Sequence, residues 1–186
     1  IRLTSKNAQK QWGNQAMNRV IGLFVIVVMI AGCGRRLPPD CREVLEKTDF
    51  GRFEIKDRGI ALDSDLGIEW YRCSVGERFL NGNCIGQPLF LRWEDGVDMV
   101  QDMNEKMGGD WRLPLNSELA SLRLKECGNP SINTNVFPAI LVENYWAKDE
   151  SPHSGFRCGM YTYSGATSCR LFDNLERPVL IVRDLR

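Results

Sequence analysis

Residues 108–119, GGDWRLPLNSEL, mark the junction around which the chain is organised. Gly108 and Gly109 predict the end of a preceding helix. Residues 111–113 are predicted to be extended, because the position before a proline is disfavoured in the α region. Pro114 suits the first turn of a new helix, where its missing N–H costs nothing. The stretch therefore predicts an extended link between two helices.

Helices are predicted on both sides of this junction. The second one covers residues 116–125, with Leu119 and Leu122 facing the core. The first one ends at Gly108, and its apolar residues recur at spacings of four, three and seven, which places them on one face of an α-helix. These residues are Trp93, Val97, Val100 and Met107.

Short strands are predicted before and after the two helices. Clusters of aspartate and glycine separate the early ones, as is typical of turns. The pattern predicts a single α+β domain, with two helices in its first half and antiparallel strands in its second. The predicted elements are a helical turn at 42–47 and strands at 53–56, 60–62, 67–72, 144–147, 156–163, 167–172 and 179–182.

The charge of the chain is uneven, although 24 basic residues balance 24 acidic ones over its 186 residues. The first 32 residues contain four basic residues and no acidic one, so the rest of the chain has a net charge of −4. A mildly acidic domain lacks the basic face of nucleic-acid-binding proteins. We therefore expect no nucleic-acid partner.

A secretion signal explains the basic N-terminal segment. Arg19 precedes an apolar run over residues 20–30, which is too short for a membrane span and has the length of a signal peptide. The run ends in Ile-Ala-Gly before Cys33, and this resembles a bacterial lipobox. Residues 17–32 are thus predicted to be a lipoprotein signal peptide, and Cys33 the lipidated residue that anchors the protein to the membrane.

The boundaries of the other segments follow from this assignment. Met17 is the natural start of the signal, so residues 1–16 are interpreted as an upstream or non-native segment. Residues 33–50 are predicted to be a lipidated tether and residues 51–186 the folded domain. Gly34 after the lipidated cysteine, where an aspartate would retain the protein, favours the outer membrane in a Gram-negative cell. The predicted location is therefore the bacterial cell envelope.

Disulfides are predicted from the cysteine count. The chain contains seven cysteines, and six remain when Cys33 is assigned to the lipid. An even number in an exported protein indicates a disulfide framework and leaves the pairing open. Two pairs flank turn-prone sequences and are predicted to close hairpins, and the third follows by elimination. The predicted pairs are Cys73–Cys84, Cys158–Cys169 and Cys41–Cys127.

Signatures of catalysis and of metal binding are weak. The chain contains one histidine, His153, beside serines and a proline in a predicted loop, so acyl transfer lacks its general base. No short motif singles out two carboxylates for glycoside hydrolysis. Zinc sites need closely spaced ligands, which the cysteines do not provide. The sequence predicts no catalytic residues, no metal, no cofactor and no enzymatic activity.

Four stretches resemble, in order, the Lcl C-terminal domain family, a bacterial domain of unknown function named after a collagen-like adhesin. They are residues 63–84, 91–119, 132–146 and 177–183, and Trp-Arg-Leu-Pro followed by Glu-Leu is the most specific part. The resemblance covers about residues 60–183 and implies a C-type lectin-like fold, with two helices, a twisted antiparallel sheet and disulfides. It implies packing and anchoring roles for the motif residues, which are Trp111, Arg112, Leu113, Pro114 and Glu118.

The resemblance also shows one departure at the start of the second helix. The family has a threonine at the position of Leu115, and that threonine would form a capping box with Glu118. Leu115 has no acceptor atom, so Asn116 is predicted to cap the helix one residue later. We predict that Leu115→Thr stabilises the domain by about 1 kcal/mol.

Three functions are compatible with these observations. The family's adhesin implies a recognition domain that binds a glycan or a surface protein, and the alternative is a structural or assembly lipoprotein of the envelope. Residues 154–158, SGFRC, also resemble a segment of formylglycine-generating enzymes, which need a second, nearby reactive cysteine. A calcium ion that bridges to a sugar needs several oxygen ligands, and the sequence does not contain a complete set of them. A ligand loop is predicted after a strand, with candidate residues Asn144, Trp146, Lys148, Asp149, Glu150 and His153.

Overall fold

A computed structural model describes residues 37–150, 155–171 and 174–185 of the chain. The predicted signal peptide, Cys33, His153 and the segment 1–16 lie outside these residues. In chain order the elements are α1 (Cys41–Val44), β1 (Phe53–Lys56), a 3-10 turn (Asp57–Gly59), β2 (Ile60–Asp63), β3 (Ile68–Tyr71), β4 (Glu77–Leu80), β5 (Asn83–Gly86), α2 (Trp93–Met107), α3 (Asn116–Ser121), β6 (Asn144–Glu150), β7 (Phe156–Tyr161), β8 (Ala166–Leu171) and β9 (Val182–Asp184).

The strands form three antiparallel sheets in the part of the chain that the structure describes. The largest has the order β1-β2-β3-β9, so the last strand pairs with the third one. The hairpin β4–β5 stands alone, and β6, β7 and β8 form a meander. The α+β class predicted from the sequence is confirmed. The strands are divided among three sheets, instead of lying in the one twisted sheet that the resemblance implied.

Two apolar clusters fill the interior of the compact unit that begins at Pro38. The first contains Trp70 of β3, Leu119 of α3 and Met160 of β7. The second contains Val100 of α2 and Trp146 of β6. Strand β3 alternates between buried and half-buried residues, as expected of a strand with one core face.

The first helix agrees with its sequence pattern. Helix α2 begins at Trp93 and ends before Gly108, whose φ is 70°. Trp93, Val97 and Val100 from the predicted apolar face lie in the second cluster. None of the helices that the structure describes is long and apolar enough to cross a membrane.

The second helix is shorter than predicted, because tertiary pairing ends it. Helix α3 stops at Ser121, although its sequence pattern extends to residue 125. Arg123 forms an antiparallel bridge with Ile132, and the Leu124 N–H donates to the carbonyl of Ser131 at 2.8 Å. These contacts draw the backbone away from the helix axis.

Other predicted boundaries also changed. The helical turn at 42–47 became α1, which ends at Val44, and the strand at 179–182 became β9, which starts at Val182. The Val179 and Ile181 carbonyls still accept hydrogen bonds, from the N–H groups of Val75 and Tyr71. Residues 38–50 of the predicted tether belong to the compact unit.

Three disulfides join the pairs proposed from the sequence. One of them, Cys158–Cys169, joins directly paired residues of β7 and β8, as predicted. The prediction that Cys73–Cys84 closes a hairpin is wrong, because Cys84 lies in β5 opposite Phe79, and Cys73 lies before β4 begins at Glu77. The third, Cys41–Cys127, attaches α1 to the segment after α3 over a sequence separation of 86 residues.

Candidate functional site

The junction motif is attached to the large sheet through its backbone. The Arg112 N–H donates to the Val182 carbonyl at 2.8 Å, and the Val182 N–H donates back at 2.9 Å. This bridge lies where β9 would otherwise present an open edge. Pro114 favours an extended backbone at Leu113, and the bridge from Arg112 to Val182 places residues 111–113 beside β9.

The side chain of Arg112 connects three segments. Its guanidinium donates Nη1 to Glu118 Oε2 at 2.9 Å and Nη2 to Glu118 Oε1 at 2.8 Å. Nη2 also donates to Asp184 Oδ1 at 2.6 Å. The hydrogen bond to Glu118 contributes most to a raised Arg112 pKa, and the bond from Arg112 holds the pKa of Asp184 below its usual value. Paired charges of this kind fix the site's geometry.

Trp111 is held on both its backbone and its ring. Its N–H donates to Asn104 Oδ1 at 2.9 Å, and Asn104 Nδ2 donates to its carbonyl at 2.6 Å. The Arg183 guanidinium carbon lies 4.7 Å from the ring centroid. A side chain at Gly109 would place its Cβ 2.8 Å from Trp111 Cδ1 and Nε1, and Gly109 also has a φ of 118°. Glycine is therefore required at position 109.

A polar cleft of about 380 Å³ opens beside this motif. Inside it, Arg183 Nε donates to Glu69 Oε2 at 2.6 Å, across the paired strands β3 and β9. Three carboxylates and one guanidinium thus surround the cleft, on strands and a tightly held turn. Its lining residues are Glu69, Gly109, Asp110, Arg183, Asp184 and Leu185.

A smaller apolar groove of about 170 Å³ lies between α2, the motif and the end of β6. Val97, Val100 and Leu113 form much of its wall, and Gln101 and Lys148 are exposed polar residues at its rim. The other lining residues are Asn104, Trp111 and Arg112. The groove and the cleft therefore lie along consecutive residues, 109–113.

The start of α3 is stabilised by β6 instead of by a cap of its own. Leu115 occupies the N-cap position and Asn116 is the first helical residue, so the predicted cap at Asn116 is wrong. The Leu115 N–H donates to Glu118 Oε2 at 2.6 Å, which forms one half of a capping box. Asp149 accepts a hydrogen bond from the Asn116 N–H, and the Lys148 N–H donates to the Pro114 carbonyl at 2.7 Å. Hydrogen bonds with β6 thus take the place of the side-chain cap that a threonine at position 115 would provide.

The predicted ligand loop is a strand in its described part. Residues Asn144–Glu150 form β6, beyond the predicted end of the strand at residue 147. Trp146 is fully buried and donates Nε1 to the Leu91 carbonyl at 2.8 Å, so its ring cannot meet a ligand at the surface. The Asp149 carboxylate accepts a hydrogen bond from the Asn116 N–H at the start of α3. The predicted strand stopped at Ala147, before a lysine, but the pairing of Glu150 with Arg157 continues it.

The cleft residues were missed by the sequence analysis. Glu69, Asp110 and Asp184 are far apart in the sequence, so their grouping has no local signal. The alternation of β3 could have identified Glu69, because it stands between the buried Ile68 and Trp70 in a strand with one core face. Within the described residues, no three His, Cys, Asp or Glu side chains are grouped so that they could hold a metal ion.

The cleft combines hydrogen-bond donors and acceptors on a rigid frame. Its charges are paired within the protein, between Glu69 and Arg183 and between Arg112 and Asp184. The cleft therefore presents both hydrogen-bond donors and hydrogen-bond acceptors. The class defined by this fold and site is a disulfide-linked α+β domain with a polar surface cleft.

The chain matches the model of one known protein family. The Lcl C-terminal domain matches residues 59–183, and the chain therefore belongs to the Lcl C-terminal domain family. The motif at 111–114 and the cleft residues 69, 109, 110 and 183 lie within the match. No curated protein matches the chain, and no solved structure matches it.

Proposed function

We propose that this protein is a lipid-anchored recognition protein of the bacterial cell envelope, and that it binds a glycan in the polar cleft. The observation that carries this proposal is the cleft itself, about 380 Å³ in volume, within the range of roughly 300–1,000 Å³ that ligand sites occupy. The cleft is built by β3, β9 and the family motif. We propose a binding function without catalysis.

The chemistry of the cleft supports a neutral glycan over other ligands. Carboxylates accept hydrogen bonds from sugar hydroxyl groups, and Arg183 donates to sugar oxygens. The two guanidinium groups at the cleft are already paired, Arg183 with Glu69 and Arg112 with Asp184, so they attract a sulfate or carboxylate group of an anionic glycan only weakly. The Trp111 ring lies against Gly109, and the Arg183 guanidinium carbon lies 4.7 Å from its centroid, so the ring helps to position the hydrogen-bond donor of the cleft.

The envelope location is proposed from the sequence. A signal peptide at 17–32 and lipidation at Cys33 would anchor the domain, with Gly34 favouring the outer membrane. Mass spectrometry of the protein purified from membranes tests this assignment. An N-terminal peptide that begins with a diacylglyceryl cysteine at position 33 would support it, and an unmodified Cys33 peptide would contradict it.

The C-type lectin-like fold is part of the same proposal. It is supported by two main helices, antiparallel sheets and the pairing of the last strand, β9, with β3, which brings the C-terminal end of the domain beside one of its early strands. An experimental structure of the domain, superposed on lectin-like domains, would test it.

The first experiment is a glycan array with the full chain in detergent, with and without a chelator. Asp110→Lys introduces a cation into the cleft and is expected to abolish binding, and Asp98→Lys makes the same charge change on the exposed surface of α2. Binding that survives Asp98→Lys and is lost in Asp110→Lys supports the proposal. An array without binding by the folded wild type contradicts it.

A protein partner is a second candidate function, and one surface feature favours it. Leu80 and Ile85 on the β4–β5 hairpin are exposed, and so are Leu89 and Phe90 in the segment that follows. These four residues lie within one stretch of eleven residues, and exposed apolar side chains mark an interaction surface where they form one contiguous patch. Crosslinking in the envelope, with wild type compared with Ile85→Asp, would test this function as an assembly lipoprotein.

A further inference from the structure

The polar cleft and the apolar groove lie next to each other at the motif. Trp111 lines the groove, and its ring lies against Gly109, which lines the cleft. Arg112 lines the groove, and its guanidinium binds Asp184 in the cleft at 2.6 Å. The two cavities share no lining residue, but residues of the cleft contact residues of the groove directly, so the cavities are neighbours.

The groove has the dimensions and chemistry for a small apolar group with one polar atom. Its volume of about 170 Å³ is below the roughly 300–1,000 Å³ of a complete ligand site, so it holds a substituent. Val97, Val100 and Leu113 would contact a methyl group. Gln101 and Lys148 carry N–H donors at the rim, where a carbonyl oxygen would accept a hydrogen bond.

We infer that the glycan carries an N-acetylated amino sugar, with its hydroxyl groups in the cleft and its acetamido methyl group in the groove. This inference rests on the glycan-binding function proposed above and specifies its ligand class. The acetamido group combines a methyl, a carbonyl acceptor and no charge, which matches the apolar wall and the polar rim. A hexose without this group leaves the groove unfilled.

The deacetylated form of this sugar differs from the N-acetylated form because it carries a positive charge. A free amino sugar carries an ammonium group, and the groove would remove it from water among valines and a leucine. The same ammonium group could still be attracted to the cleft carboxylates. For this reason the neutral hexose is the main comparison, and the deacetylated sugar is a second one.

The test compares three tetrasaccharides on the full chain in detergent, by isothermal titration calorimetry. The probes are the β-1,4-linked tetramers of N-acetylglucosamine, glucose and glucosamine. Burial of one methyl group and one added hydrogen bond predict binding of the N-acetylglucosamine tetramer that is about tenfold tighter than binding of the glucose tetramer.

Two variants of α2 test whether the groove causes the preference for the N-acetylglucosamine tetramer. Val97→Phe fills the groove, and Met99→Phe introduces the same ring from a half-buried position of the same helix, outside the groove. Val97→Phe is expected to bind the N-acetylglucosamine and glucose tetramers equally, while Met99→Phe keeps the preference of the wild type. Circular dichroism and the melting temperature show whether each variant is folded.

The outcomes separate the two proposals. Equal binding of the N-acetylglucosamine and glucose tetramers by the wild type overturns the inference and leaves glycan binding intact. A preference that survives Val97→Phe in a folded variant also overturns it, because the groove is then not the acetamido site. If the array and all three tetramers show no binding to the folded wild type, the proposed function itself fails.

Discussion

The hairpin β4–β5 and the N-terminal segment with α1 are each attached to another segment by a disulfide, but the two disulfides act differently. Cys73–Cys84 spans 11 residues and links β5 to the segment just before β4, beside a hairpin whose strands already pair through four residues each. Cys41–Cys127 spans 86 residues and holds a four-residue helix. That helix is too short to be stable alone. Next to this disulfide, the Cys41 N–H donates a hydrogen bond to the Gly128 carbonyl, and the Gly128 N–H donates one to the Pro39 carbonyl.

The comparison shows that local and long-range contacts contribute differently to this fold. A local contact reinforces an element that its own sequence already favours. A long-range contact keeps an element in place that would otherwise leave the domain, and it restricts more of the unfolded chain. Changes to long-range contacts should therefore cost more stability than changes to local contacts of the same chemistry.

The largest effect is expected from the disulfides. Removing Cys41–Cys127 with two serines should lower the free energy of unfolding by about 4–5 kcal/mol, and removing Cys73–Cys84 by about 3 kcal/mol, because the longer loop gains more entropy when it is opened. Urea unfolding of the two double variants measures both losses. A hairpin variant that is the less stable of the two would contradict the comparison.

A smaller loss is expected at Arg112, whose ion pairs join the motif to α3 and β9. Arg112→Ala leaves Glu118, with only 10% of its side chain exposed, without its cationic partner and should cost about 3 kcal/mol. Lys56→Ala removes the exposed local ion pair with Glu54 and should cost less than about 0.5 kcal/mol. Equal losses in urea unfolding would refute the distinction.

The same ion pair predicts a dependence on pH. Arg112 lowers the pKa of Asp184 in the folded protein, so the folded state holds the ionised form more strongly than the unfolded state does. The stabilisation is present above the unfolded pKa of about 4 and is lost as the pH falls through the lower folded value. The wild type should therefore lose more stability than Asp184→Asn between pH 5 and pH 2, at roughly the values where aspartates titrate.

Tyr145 combines a local contact with a long-range one. Its hydroxyl accepts from the Leu141 N–H at 3.1 Å and lies 3.1 Å from Ser74 Oγ. Tyr145→Phe leaves these groups without a partner and should cost about 1–2 kcal/mol, while Tyr161→Phe at the surface should cost almost nothing. A neutral Tyr145→Phe variant would show that the bonds do not contribute.

Burial also raises the pKa of Tyr145 to about 12. The unfolded chain ionises its tyrosines near pH 10, so unfolding becomes more favourable between pH 10 and the folded value. The wild type should therefore lose more stability than Tyr145→Phe over this range. Denaturant unfolding at pH 9 and at pH 11 measures the difference, and identical losses would contradict the assignment.

The smallest effect is a gain at the local start of α3. Leu115→Thr adds an acceptor for the Glu118 N–H and completes the capping box, which should raise the free energy of unfolding by about 1 kcal/mol. Leu115→Val is the matched control, because it has the shape of threonine without the oxygen. A melting temperature that rises equally in both variants would show that capping is not the cause.

Sequence reasoning succeeded where one segment carried the information. The spacing of Trp93, Val97 and Val100 predicted α2, and the turn sequences between cysteines predicted two hairpins and two disulfide pairs. It failed where pairing with a distant segment determined the backbone conformation. Pairing with Ile132 ended α3 early, and the meander extended β6 through residues predicted to form a loop.

The sequence by itself determined the class of fold, the helix α2 and the family of this protein, because these depend on periodicity or on a motif read in order. It proposed the cysteine pairs, which the structure then confirmed. Only the tertiary structure decided where α3 ends, how Asp149 supports its start, and that Glu69, Asp110 and Asp184 share a cleft. The physical reason is that strand pairing across β3 and β9 joins residues more than 100 positions apart, such as Glu69 and Arg183. No local pattern encodes such a neighbour.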